Sequence, residues 1–90
     1  MTNRQYNSRM HAIHRAKERY DIHLDMEDID RIENRIRNNG NDVFFLEKKT
    51  KTRSVWIVRY DGIIFSVIYN NSQSCLSTFM HKWYVKKYFN

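Results

Sequence analysis

Between Ser8 and Tyr20 the apolar residues Met10, Ile13, Ala16 and Tyr20 recur close to helical spacing, and Ala12 and Ala16 are small enough to permit close packing beneath. The pattern predicts a first helix over this stretch with Ser8 as its N-cap, while residues 1–7, polar and without a period, are expected to form a frayed arm. The connector Asp21-Ile22-His23-Leu24 leads to Asp25, a carboxylate placed to cap a second helix. Glu27, Asp28 and Asp30 fall in the early turns of that helix and Arg35 and Arg37 near its end, each where the macrodipole favours its charge. Ile29, Ile32 and Ile36, at i, i+3 and i+7, give it a narrow buried stripe, and Asn38-Asn39-Gly40 ends it with residues that tolerate the left-handed conformation.

From Val43 the period changes to alternation. Val43–Leu46 reads as a short strand, Glu47–Thr52 as a basic polar loop, and Arg53–Tyr60 and Ile63–Asn70 as a hairpin joined by Asp61-Gly62, a pair suited to a type I′ turn. That turn sets Tyr60 opposite Ile63. Val55, Ile57, Arg59, Ile64, Ser66 and Ile68 then share one face, and Trp56, Val58, Tyr60, Ile63, Phe65, Val67 and Tyr69 share the other. A further turn at Asn70–Gln73 precedes a strand over Cys75–Met80, and His81–Asn90 fits a strand and a helix equally well. The reading is α+β: one domain over residues 1–90, with two N-terminal helices packed on a three- to four-stranded antiparallel sheet over residues 8–80 and an aromatic, basic tail over 81–90.

Ninety residues allow one thin core, because a chain of this length buries only about 60–65% of its unfolded surface. No run approaches the roughly 18 apolar residues of a membrane span, and residues 1–20 lack an apolar leader core, so the expected address is cytoplasmic with no membrane partner. The single Cys75 makes no internal disulfide. The net charge of +6 is unevenly spread: residues 1–20 carry +4, residues 21–42 carry −4 and residues 43–90 carry +6. A basic surface split around an acidic helix suits a polyanion footprint formed by the first helix and the sheet, which makes nucleic acid the leading partner class.

Helical spacing puts His11, Arg15 and Arg19 on one side of the first helix, an imidazole beside two guanidiniums. Metal-independent RNA cleavage needs a proton acceptor for the 2′-hydroxyl, a proton donor for the leaving oxygen, and cations or donors for the crowded phosphorane. In that scheme His11 is the acid or base, Arg15 and Arg19 hold the phosphate, and Thr78 on the last strand donates a hydrogen bond. Arg53 and Arg59 add positive potential, and Tyr60 and Tyr69 stack bases. The competing account makes the arginines solvated surface charge and the aromatics core. His11, His14 and Glu18 lack matching ligands elsewhere, so no metal or cofactor is expected, and the isolated Gly40 and Gly62 make no phosphate-cradling loop.

The string His11-Ala12-x-x-Arg15-x-x-x-Arg19, followed by a second helix, a Trp-containing strand, a tight turn and a last strand with Ser77-Thr78, resembles small domains of the RelE, colicin D and EndoU group over about residues 8–80. The resemblance implies a toxin-type endoribonuclease, of the sort found in toxin systems and phage or mobile-element cargo, with an antitoxin as a possible partner. It also implies His11 as acid or base, Arg15 as phosphate ligand and Thr78 as the last-strand hydroxyl. The lysine-rich aromatic tail after Thr78 departs from that pattern. A second function from the same scaffold is a non-catalytic phage or mobile-element protein that grips and inhibits a host protein or nucleic-acid complex, with Trp83, Tyr84 and Tyr88 as interface anchors. DNA binding by the first two helices is disfavoured, since the acidic second helix repels phosphate. Oligomeric state is not legible in the sequence.

Overall fold

Thr2, not Ser8, opens the first helix. The computed structural model of the chain describes residues 2–89, with side-chain surroundings through Lys87. In it α1 spans Asn3–Tyr20 behind a capping box: Thr2 Oγ1 accepts from Gln5 N at 3.1 Å and Gln5 Oε1 accepts from Thr2 N at 3.0 Å. The expected arm is therefore helical from Asn3, because the Thr2-x-x-Gln5 pair satisfies backbone donors that a helix starting at Ser8 would leave to another residue. Asp21 ends α1 in the left-handed conformation, φ 54°. The second helix, α2 (Met26–Arg37), starts as expected at Asp25, whose capping box with Asp28 closes at 2.8 and 3.0 Å. Its buried stripe holds Ile29, Ile32 and Ile36 and also Glu33, and Asn39 rather than Gly40 takes the positive φ beyond its end.

Four strands follow, β1 (Val43–Lys48), β2 (Arg53–Tyr60), β3 (Ile63–Asn70) and β4 (Cys75–Phe79), paired antiparallel in chain order. Asp61 and Gly62 both have positive φ, 52° and 78°, as a type I′ turn requires, and the register Tyr60↔Ile63 runs unbroken to Arg53↔Asn70. β1 continues two residues past the expected Leu46, its register shifting by a bulge between Phe45 and Glu47; a second irregularity lies between β3 and β4 at Ile68/Tyr69. The tail forms a third helix, α3 (Lys82–Phe89).

The alternation sorts the core into two layers. Val58, Tyr60, Phe65, Val67 and Tyr69 meet Leu76, Phe79 and the buried faces of α1 and α2, with Tyr20, Phe65 and Phe79 packed edge-to-face at centroid distances of 4.9 and 5.1 Å. On the other face Val55, Ile68 and Met80 form a smaller cluster covered by Leu46 and Tyr84 of α3. Burying each large apolar side chain contributes about 1.5–3 kcal/mol, so the helix-covered layer carries most of the stability. α1 lies along β4. Its Gln5 Nε2 donates to Gln73 O at 2.8 Å, Ser8 Oγ to Leu76 O at 2.8 Å and Arg19 Nη1 to Phe79 O at 2.7 Å.

Among the described residues, one charged side chain is fully buried. Glu33 is 0% exposed, accepts a two-pronged contact from Arg9 (Nε to Oε2 2.9 Å, Nη2 to Oε1 2.8 Å) and takes the Leu76 N–H at 2.8 Å. The carboxylate holds the Arg9 guanidinium above its usual range, first through the hydrogen bond and then through charge. This knot joins α1, α2 and β4. No helix among the described residues is long and apolar enough to cross a membrane.

Candidate nucleic-acid interface

The end of the sheet away from the Asp61-Gly62 turn gathers the start of β2, the end of β3, the start of β4 and the first turns of α1. A cleft of about 460 Å³ opens there, lined by Arg4 and Ser8 of α1, Arg53 of β2, Asn70 of β3, Ser72 and Gln73 of the following turn, Thr52 and Ser77. Every lining residue is polar, two are arginines and none is acidic. The first turn of α1, at the positive end of its macrodipole, carries no acidic residue. The neighbouring β1–β2 loop is held in a compact turn by Lys49 N donating to Arg53 O at 2.9 Å and Arg53 N to Thr50 Oγ1 at 3.1 Å, while Asn71 N donates to Thr52 O at 2.7 Å. Lys48, Lys49 and Lys51 stand exposed around it.

Among the described residues, Arg4, Lys48, Lys49, Lys51 and Arg53 form no ion pair, whereas Arg9, Arg15, Lys17, Arg31, Arg35 and Arg59 each meet a carboxylate. Arg19 and Arg37 are bound to backbone carbonyls, and Lys82 and Lys86 of α3 lie near the opposite end of the sheet, so the cleft end holds one of two groups of cations outside ion pairs.

His11 and Arg15 continue the same helix stripe, since positions 4, 8, 11 and 15 follow one another by four, three and four residues. His11 is exposed, and its Nε2 lies 3.5 Å from Arg15 Nε. Arg15 Nη1 in turn donates to both Glu18 oxygens at 3.0 Å. Thr78 and Arg19 converge on one acceptor, the Phe79 carbonyl, at 3.4 and 2.7 Å. Arg53 lines the cleft, and Arg59 is paired with Asp42 at 3.0 Å.

The two tyrosines read as base-stacking platforms are core residues. Tyr60 and Tyr69 are 8% and 5% exposed because the hairpin register turns both toward the helices, so neither ring offers a face to a base. The Tyr60 hydroxyl donates to Asp28 Oδ1 at 2.6 Å and Arg35 covers its ring at 5.0 Å; the Tyr69 hydroxyl accepts from Arg37 at 3.4 Å. Burial first, and then the Asp28 carboxylate, push the Tyr60 hydroxyl above its ordinary pKa. Trp83 is 54% exposed on α3, the Tyr84 hydroxyl donates to Glu47 at 3.0 Å, and the side chain of Tyr88 lies outside the described residues.

Arg4, Ser8, Ser77 and the loop lysines were not picked out by the chemistry of the sequence. The Thr2-x-x-Gln5 box is the signal that would have extended the helix stripe back to Arg4. Burial raises the pKa of the Cys75 thiol, which is not placed as a nucleophile. No group of three metal-ligating side chains converges among the described residues. No family model matches the chain, and comparison with curated proteins and with solved structures finds no significant match.

Proposed function

We propose that the protein binds RNA in the Arg4–Arg53 cleft and cleaves it without a metal ion, with His11 as the acid–base group. The observation that carries the reading is the gathering of five cations without ion pairs at a polar cleft lined by Arg4 and Ser8, from which the same helix stripe leads on to the exposed His11. Phosphates of a single strand neutralise those cations, and the hydroxyl and amide groups of Ser8, Ser77 and Asn70 supply donors to phosphate and sugar oxygens. A scissile phosphate one helical turn farther along meets His11 and Arg15. There the imidazole takes the 2′-hydroxyl proton as that oxygen attacks phosphorus, the bond to the 5′-oxygen breaks, and the leaving oxygen is protonated by imidazolium or water.

A second reading, RNA binding without cleavage, is favoured by the engagement of Arg15 with Glu18 and of Arg19 with the Phe79 carbonyl, which leaves both guanidiniums that accompany His11 committed elsewhere. One experiment separates them. Wild type, His11→Ala and the Arg4→Ala/Arg53→Ala double variant are incubated with a defined single-stranded RNA in EDTA, and cleavage and salt-dependent affinity are measured. The first reading expects cleavage by wild type, a loss of roughly 10²-fold or more in His11→Ala at unchanged affinity, and a logarithmic salt slope shallower by about 1.4 in the double variant. Retention of RNA with no cleavage by any form establishes the binder. Absence of a salt-dependent complex overturns both.

A further inference from the structure

The two borders of the sheet differ in what lies beyond them. Outward groups of β4 are taken by Ser8, Arg19 and Glu33, whereas β1 packs chiefly against β2 and carries Phe44 and Phe45, 52% and 55% exposed. Arg59 N donates to Asp42 O at 2.8 Å, and antiparallel pairing alternates, so Phe44 exchanges bonds with Ile57 while the N–H and C=O of Phe45 face away from the sheet. An open edge with two neighbouring exposed phenylalanines is a template for strand addition.

We propose that β1 pairs antiparallel with β1 of a second copy of this chain, centred on Phe45, joining the two sheets into one of twice the width. The strand is complementary to itself under that two-fold axis. Phe45 meets its counterpart beside Trp56, already edge-to-face with it at a centroid distance of 5.5 Å, which gathers four rings on one face. On the other face Phe44 meets Leu46 of the second copy, which packs on the Val55–Ile68 cluster. Charges also match: the Lys48-Lys49 end of each strand arrives beside Asp42 of the other copy, whose side chain is 39% exposed. Because the β4 edge is sealed, each copy offers one open edge, and addition closes at two subunits instead of running on into a fibre.

Sedimentation velocity on RNA-free protein, from low micromolar to near-millimolar concentration, tests this. The expected result is a concentration-dependent rise to twice the chain mass. Phe45→Pro and Phe45→Lys should remain monomeric at all concentrations. The proline deletes an N–H that points out of the sheet, and the lysine puts repelling charges at the two-fold axis, so both should keep the wild-type circular dichroism spectrum. If the proline variant unfolds, the lysine variant, altered only at an exposed position, carries the comparison alone. Wild type that stays monomeric throughout overturns the proposal, as does a dimer that survives in the folded lysine variant.

Discussion

The β4 and β1 edges face opposite demands, and their difference shows how this chain uses its polar residues. Along β4, α1 and α2 supply donors and an acceptor to the backbone: Gln5 to Gln73 in the preceding turn, Ser8 to Leu76, Arg19 to Phe79, and Glu33 to the Leu76 N–H. Residues whose types suggest chemistry are there holding a strand in place. Along β1 no helix among the described residues bonds to the strand's backbone, and the side chains of Phe44 and Phe45 stay about half exposed. A polar side chain on α1 therefore takes its meaning from its position against β4. Ser8, Arg19 and Glu33 are engaged by the sheet, while Arg4 and His11 are left toward the cleft and the solvent.

The largest expected effect comes from unsealing β4 at its buried charge. Glu33→Ala leaves Arg9 desolvated without a partner and orphans the Leu76 N–H, so urea unfolding should show a loss of about 3–5 kcal/mol. A loss under about 1 kcal/mol would mean that the knot is not what holds α1, α2 and β4 together. Gln5→Ala removes both half of the capping box and the bond to Gln73, and should cost about 1–2 kcal/mol, measured by the same titration.

A pH experiment sharpens the comparison one strand in from the open edge, where Tyr60 ties β2 to α2. The Asp28 carboxyl is held below its ordinary range, first by the Tyr60 hydroxyl and then by the Asp25 N–H. A depressed carboxylate stabilises the fold above its unfolded pKa, and that stability is lost as pH falls through the folded value. Acid unfolding of Tyr60→Phe should therefore show a shallower loss of stability below the usual carboxylate range than wild type. Identical profiles would remove the hydroxyl from the account. The smallest effect belongs to β1: at concentrations where the protein is monomeric, Phe44→Ala should change unfolding stability by no more than about 0.5 kcal/mol, since its ring has few neighbours to lose.

Much of the fold was legible because its signals are local. Asp25 and Asp28 mark the start of α2, its isoleucines mark the buried face, and Asp61-Gly62 fixes the hairpin register from Tyr60↔Ile63 to Arg53↔Asn70. The start of α1 was missed although Thr2-x-x-Gln5 is also local, because the apolar period begins later and drew the boundary to Ser8. His81–Asn90 was ambiguous for a different reason. Its Trp, Tyr, Val and Lys residues have no decisive period, and the helix forms where Tyr84 reaches the second core cluster and Glu47.

Of the candidate site, the sequence marked the residue types and the helix face shared by His11 and Arg15, since i, i+4 spacing alone brings them together. Tyr60 and Tyr69 show the limit of that reading: alternation put them on one face, but only the helices packed there decided that the face is core. Local chemistry determined the turns, caps, register and periodicity of this protein, because each depends on a few consecutive residues. Tertiary packing decided which charge is buried and which edge is sealed, because those depend on partners such as Arg9 and Glu33, or Arg19 and Phe79, that lie far apart in the chain and meet only when it folds.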